Sequence, residues 1–474
     1  MISKLLLNKD FKELVLHSKN YLSAEFLSLL IGFLALPFYT RILSPADFGV
    51  MSVFVSFVTM FSVILGLGIR GAIVRYYYED KGDFYDFFNT NITLSIIVGF
   101  TLIVFFFFFK EQIQSFFEIP IELLYYGIVI SFFTVFIQLY QAYLQASKQS
   151  KILSFQKILQ VSIGVGFSLV IMCFLTSEKY YGRSYAMLLA VVVLSSIIFY
   201  NTKNFFKFSL NKKHITYSLA FGLPILLHLI SQNILSTFDQ VMINNLLGEK
   251  ETGLYSIAYR IGMIQNSIAA ATLAAWTPIF YKKLNLNKFE DLKKLTKKYI
   301  FIITFLAIGL ILFSKETLYV FADRRYYEAL SVIPIVIIGY FFFFLYSIYV
   351  SYSFYEKKTI FISITTIFVG VINITLNFWL IPFYGYIGAA WSTLCSYLLL
   401  FLLHYGNCFL KYKKYNFLKF NVFFIPLSII FIVFLINNYI IFLDLNCIQE
   451  VLIKILILSL MLSIYFVFKK YIYG

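Results

Sequence analysis

Charged residues are scarce in this chain, so the few that fall inside apolar runs are the first places to look for chemistry. Arg260 is one of them: a guanidinium held within such a run carries a rigid fork of donors that can grip an anion such as a diphosphate bidentately. Asp239 lies eight residues before Leu247, and Arg260 lies seven after Gly253. On adjacent antiparallel helices both groups would sit at similar depth, about 10 to 12 Å in at 1.5 Å per residue. Arg260 therefore either faces a cavity or pairs with Asp239. Asp239 and Glu25 are candidates for the coupling ion, since a carboxylate held within a span can take up a proton in one state and release it in another. Glu25 is only about a turn into its run and near Lys19, so an interfacial carboxylate is the simpler reading there. Tyr255 and Tyr259 beside Arg260 offer rings with one apolar face and a polar tip, suited to sugars. Most other aromatics, such as the phenylalanine runs at 105–109 and 341–344, fit a lipid-facing or interfacial belt. There is no GxxxxGK nucleotide loop and no HExxH; His17, His214, His228 and His404 are scattered, and the four cysteines show no CxxC spacing. Neither catalysis, a metal nor a cofactor is expected.

The elements that must position these residues follow from composition. Of 474 residues, 61% are hydrophobic and 13% charged, against about 25% charged in soluble domains. Fourteen apolar runs approach the roughly 20 residues a membrane-spanning helix needs: 20–40, 48–69, 88–109, 123–145, 153–175, 183–200, 217–246, 254–280, 300–321, 329–355, 359–381, 386–408, 421–441 and 451–468. With the N-terminus inside, the cytoplasmic segments hold 29 lysines and arginines and the outer ones 8, so both termini are expected in the cytoplasm. The net charge of +16 is thus a topology signal spread over short loops, not a basic face for nucleic acid. Residues 1–19 suggest an amphipathic helix on the cytoplasmic interface. No loop is long enough for a separate domain, which weighs against a membrane glycosyltransferase or polymerase.

An internal repeat divides the chain. Leu43, Ser44, Asp47, Gly49 and Ser52 precede Leu247, Gly248, Glu251, Gly253 and Ser256 by 204 residues, and the same offset relates Tyr180 to Tyr384. The expected organisation is an N-terminal lobe of six helices (20–200), a basic linker (201–216), a second six-helix lobe (217–410) and two additional helices (411–474). An even number of spans between the copies makes the lobes parallel, related by a pseudo-two-fold axis along the membrane normal. Pro224 would act as a hinge in the seventh span, although prolines also occur in spans without motion.

Three segments carry a resemblance. LPFYTRILSPADFGVMSVFVSF with LGLGIRGAIVRYY, then FGLPILLHLISQNILSTFDQVMINNLLGEKETGLYSIAYRIG, then NFWLIPFYGYIGAAWSTLCSY resemble the polysaccharide biosynthesis (O-antigen) flippases of the multidrug, oligosaccharidyl-lipid and polysaccharide (MOP) exporter superfamily over roughly residues 20–410. The resemblance implies a bacterial inner-membrane transporter. It would move an undecaprenyl-diphosphate-linked oligosaccharide across the bilayer by alternating access for O-antigen or another surface polysaccharide, beside polysaccharide polymerase and chain-length proteins, and a monomer suffices. It also implies that Arg70 and Arg75, which otherwise serve as positive-inside determinants, contact the diphosphate on the cytoplasmic side. Arg41, expected outside, would assist release or pair with Asp47. An ion-coupled drug or metabolite exporter of the same superfamily is the nearest rival.

Overall fold

The apolar runs become helices because a bilayer offers no partner for a bare peptide group, and a helix satisfies its own. The computed structural model describes residues 9–79, 82–203, 206–415, 417–443 and 446–473, and these contain helices, turns and no strand. The amphipathic helix expected at 1–19 lies largely outside the described residues; the backbone is helical from Lys9. Among the described residues, twelve helical stretches are long and apolar enough to cross a membrane. The all-α polytopic fold class stands.

By contacts the chain divides into two units, Met1–Ser256 and Ile257–Gly474. The first holds α1 (Lys9–Leu34), α2 (Leu36–Ile42), α3 (Pro45–Gly66), α4 (Ile69–Glu79), α5 (Phe84–Phe117), α6 (Ile121–Ala146), α7 (Ser150–Phe174), α8 (Tyr181–Thr202), α9 (Lys212–Leu247) and the start of α10 (Glu249–Gly262). Here α7 packs on α1 and α8, α6 on α3, α4 and α8, and α9 on α3, α4 and α5. The second unit holds the end of α10, then α11 (Ile264–Asn285), α12 (Phe289–Leu312), α13 (Ser314–Phe321), α14 (Val332–Tyr355), α15 (Thr359–Tyr384), α16 (Tyr386–Lys411), α17 (Phe424–Phe442) and α18 (Cys447–Tyr473). Its centre is α14, packed on α11, α12 and α16.

Several spans differ from expectation. The first is broken at Ala35, because Pro37 has no N–H to continue the ladder and its ring crowds the preceding turn. The eighth, expected to run unbroken over 254–280, begins at Glu249 and bends at Met263, between α10 and α11, and neither helix is among the twelve apolar crossings. Gly262 beside the bend lies so close to α14 that an added Cβ would be 2.5 Å from Val336 Cγ1. No amide is orphaned, since Met263 N–H still reaches the Tyr259 carbonyl at 2.9 Å. The stretch expected as the fourteenth span is helical within α18 but is not one of the twelve. Contacts also place all of α9, expected to open the second lobe, with the first unit.

The repeat is a structural fact at one point of the first unit. A Cβ on Gly49 would fall 2.0 Å from the Glu249 carbonyl oxygen, and one on Gly253 would fall 1.8 Å from the Pro45 carbonyl oxygen. Pro45 and Glu249 are themselves one repeat apart. The contact is therefore reciprocal, each copy laying its glycine on its counterpart's first-turn carbonyl. The turn before Gly49 is fixed by a capping box, with Ser44 Oγ accepting from Asp47 N–H at 3.1 Å and Asp47 Oδ2 accepting from Ser44 N–H at 3.1 Å.

Candidate functional site

Three charged side chains converge in the first unit. Glu25, on α1, forms a 2.7 Å ion pair with Lys157, about two turns into α7. Arg70 stands in the first turn of α4, where Glu25 acts on it electrostatically, favouring its charged form, while crowding by the surrounding protein pulls its pKa down more strongly. Its side chain is nonetheless open to the surface. Among the described residues Arg70 makes no ion pair or hydrogen bond. The amides that open α4 add partial positive charge beside it, so Arg70 and Lys157 both bring positive charge toward Glu25.

The other arginines are more committed. Arg75 Nε donates to Glu79 Oε1 at 2.6 Å, and Tyr217 Oη donates to Glu79 Oε2 at 2.7 Å. The Tyr217 hydroxyl and Arg75 hold the Glu79 carboxyl below the usual range, and Glu79 raises Arg75 in turn. Arg41 donates to the Pro37 carbonyl at 2.9 Å, while Asp47, the partner considered for it, serves the capping box at Ser44.

Asp239 is buried at 1% exposure, and Tyr255 donates its hydroxyl to Asp239 Oδ2 at 2.7 Å. Two candidate residues thus bind each other, and the Tyr255 ring, also 1% exposed, offers no face to a sugar in this arrangement. In the second unit Tyr259 is buried and accepts from the Tyr340 hydroxyl at 2.8 Å, whereas Arg260 is half-buried in the last turn of α10. Pro224 is exposed midway along α9, which runs unbroken for 36 residues, about 54 Å at 1.5 Å each. Beside it, a Cβ on Gly222 would lie 2.3 Å from the Leu67 carbonyl oxygen and one on Gly68 2.3 Å from the Gly222 carbonyl oxygen. Leu67 and Gly68 are both left-handed, at φ 47° and 67°, so the hinge candidate abuts the break between α3 and α4.

Sequence reasoning passed over Lys157 as one more positive-inside determinant. Its signal was depth: Lys157 is five residues into the run 153–175 and Glu25 six into 20–40, so antiparallel or parallel neighbours with inside ends aligned bring them level. Tyr340 had no such signal. Among the described residues, the group able to hold a metal is Asp83, Asp86 and His214.

The chain is similar to known proteins in sequence and in fold. Residues 20–283 match the family described as "Polysaccharide biosynthesis protein", and residues 224–379 match the MatE family. Protein 1 of the Lsg locus of Haemophilus influenzae is 26% identical over 286 residues, 59% of this chain and 68% of that protein. An uncharacterized membrane protein of the same organism is 24% identical over 356 residues, 73% of this chain and 85% of the relative. The fold is similar to that of the lipid II flippase MurJ in an inward closed conformation, at TM-score 0.74 and 17% identity over 97% of this chain and 100% of that one. It is also similar to an inward-facing multidrug resistance MATE family transporter of the MOP superfamily, at TM-score 0.69 and 17% identity over 84% and 99%. With more than half its length matched by that family's model, the chain belongs to the polysaccharide biosynthesis protein family.

Proposed function

We propose that this chain is a transporter, not an enzyme, and that it flips an undecaprenyl-diphosphate-linked oligosaccharide from the cytoplasmic to the outer face of the bacterial inner membrane by alternating access. The product would feed O-antigen or another surface polysaccharide, with polymerase and chain-length proteins as downstream partners. A sugar-diphosphate head cannot cross hydrocarbon unaided, because each polar group costs several kcal/mol there. A flippase must therefore supply cations for the diphosphate within a wet groove. The observation that carries the reading is the cluster of Arg70 and Lys157 around Glu25, at the ends of spans expected to face the cytoplasm. Arg260, half-buried late in α10, is the candidate for a later position of the head. The relatives' names support the class: one family is named for polysaccharide biosynthesis and one structural neighbour for lipid II flipping.

Flipping of a labelled undecaprenyl-diphosphate oligosaccharide in proteoliposomes tests this. Wild type should move the lipid, and Arg70→Ala and Arg260→Ala should each slow it about tenfold or more, the cost of one charge-assisted hydrogen bond of roughly 1.5 to 3 kcal/mol. Asp239→Asn, which keeps an acceptor for Tyr255, should have little effect; equal loss in that variant would make Asp239 the ion-coupling group. The match of residues 224–379 to the MatE family favours a second reading, export of a drug or metabolite. Cation or drug efflux without movement of any lipid-linked sugar would establish it instead.

A further inference from the structure

His214 stands in the first turn of α9 and is 0% exposed. Its Nε2 lies 2.7 Å from Asp83 Oδ2, just before α5, and its Nδ1 lies 3.3 Å from Asp86 Oδ2 in the first turn of α5. An ionised carboxylate only accepts, so the 2.7 Å contact requires the proton on Nε2. In the neutral ring the lone pair is then on Nδ1, and Nδ1 has no hydrogen-bond partner among the described residues. A buried lone pair 3.3 Å from a carboxylate oxygen is repulsive unless a cation lies between them or the ring carries a second proton.

The spacing fits a metal. Ligand atoms bound at about 2.0 to 2.2 Å in tetrahedral geometry stand roughly 3.4 Å apart, close to the 3.3 Å seen between Nδ1 and Oδ2. The ligands are also braced as metal ligands usually are. Asp83 accepts from the distal ring nitrogen and, at 3.4 Å, from the Tyr76 hydroxyl; Ser209 Oγ donates to Asp86 Oδ1 at 2.6 Å and Asn211 Nδ2 to Asp86 Oδ2 at 3.2 Å. Ligand atoms of Asp83, Asp86 and His214 all lie within 4.8 Å of one another, with Asp83 on the ring's other nitrogen as the supporting carboxylate.

We propose that His214 and Asp86, supported by Asp83, bind a divalent transition-metal ion, water filling the remaining positions. Imidazole with carboxylates suits Zn²⁺ or Mn²⁺. The ion ties the start of α9, and with it the basic segment bearing Ser209 and Asn211, to the start of α5. Tethered there, the helix that carries Pro224 is restrained at its basic end.

Titration of the purified full-length chain with Zn²⁺ alone, by calorimetry, is the test. One ion should bind per chain. His214→Ala and Asp86→Asn should each weaken binding at least tenfold, and Asp83→Asn by about ten- to a hundredfold, the range for loss of a supporting carboxylate. Melting temperatures in chelator confirm that the variants fold, with His214→Gln replacing His214→Ala if the latter does not. Absence of saturable Zn²⁺ binding, or binding unchanged in a folded His214 variant, overturns the proposal and leaves a protonated ring held between two carboxylates.

Discussion

Glu25 and Lys157 face each other across α1 and α7 at 58% and 32% side-chain exposure. An ion pair so exposed is worth at most about 1 kcal/mol, too little to account for placing two opposite charges within apolar spans. A role toward a ligand distinguishes itself from mere pairing by charge exchange. If the two only stabilise each other, Glu25→Lys combined with Lys157→Glu restores the pair and transport. If Lys157 receives the diphosphate, the exchange leaves the cation on the wrong helix, and flipping in proteoliposomes stays about as low as in Lys157→Glu alone, while the melting temperature recovers. Asp239 and Tyr255 are the contrasting case at this scale: their hydrogen bond is fully buried, so its loss is a matter of stability before it is one of transport.

Among the elements, α3 and α10 meet through Gly49 and Gly253, and the approach leaves no room for a methyl group. Overpacking of this kind costs about 1 to 3 kcal/mol or more, because backbone rather than a flexible side chain must yield. Gly49→Ala and Gly253→Ala should therefore lower the melting temperature by similar amounts, as expected for two halves of one reciprocal contact. The double variant should cost less than the sum of the singles, because one separation of the helices relieves both clashes; strict additivity would mean that the two glycines act independently. The repeat that brings these glycines together was legible as a 204-residue offset, since a duplicated segment keeps its glycines where backbones must touch. The bend at Met263 was not, because it follows from how Gly262 packs against Val336 far along the chain.

At the scale of the whole molecule, α18 is joined to the rest of the second unit by an ionic quartet. Lys454, 0% exposed, lies 2.7 Å from Glu450 and 2.8 Å from Glu316, and Lys315 lies 2.6 Å from Glu450. Lys454→Met should destabilise the chain by about 3 to 5 kcal/mol through the carboxylate left buried without its partner. Adding Glu450→Gln should recover part of that loss in a thermal melt, and no recovery would mean that Lys454 acts through packing alone. The sequence by itself determined that the solvent is lipid, that the elements are helices, roughly where each begins, and that part of the chain is duplicated, because hydropathy, helix length and repetition are properties of a segment or of a sum over segments. Only the tertiary structure decided that Asp239 meets Tyr255, that Lys157 faces Glu25 across 132 residues, and that His214 lies between carboxylates more than 100 residues away. Which side chains meet depends on how far each helix is rotated about its axis and shifted along it, and those two quantities are set by packing against neighbours rather than by anything within the helix.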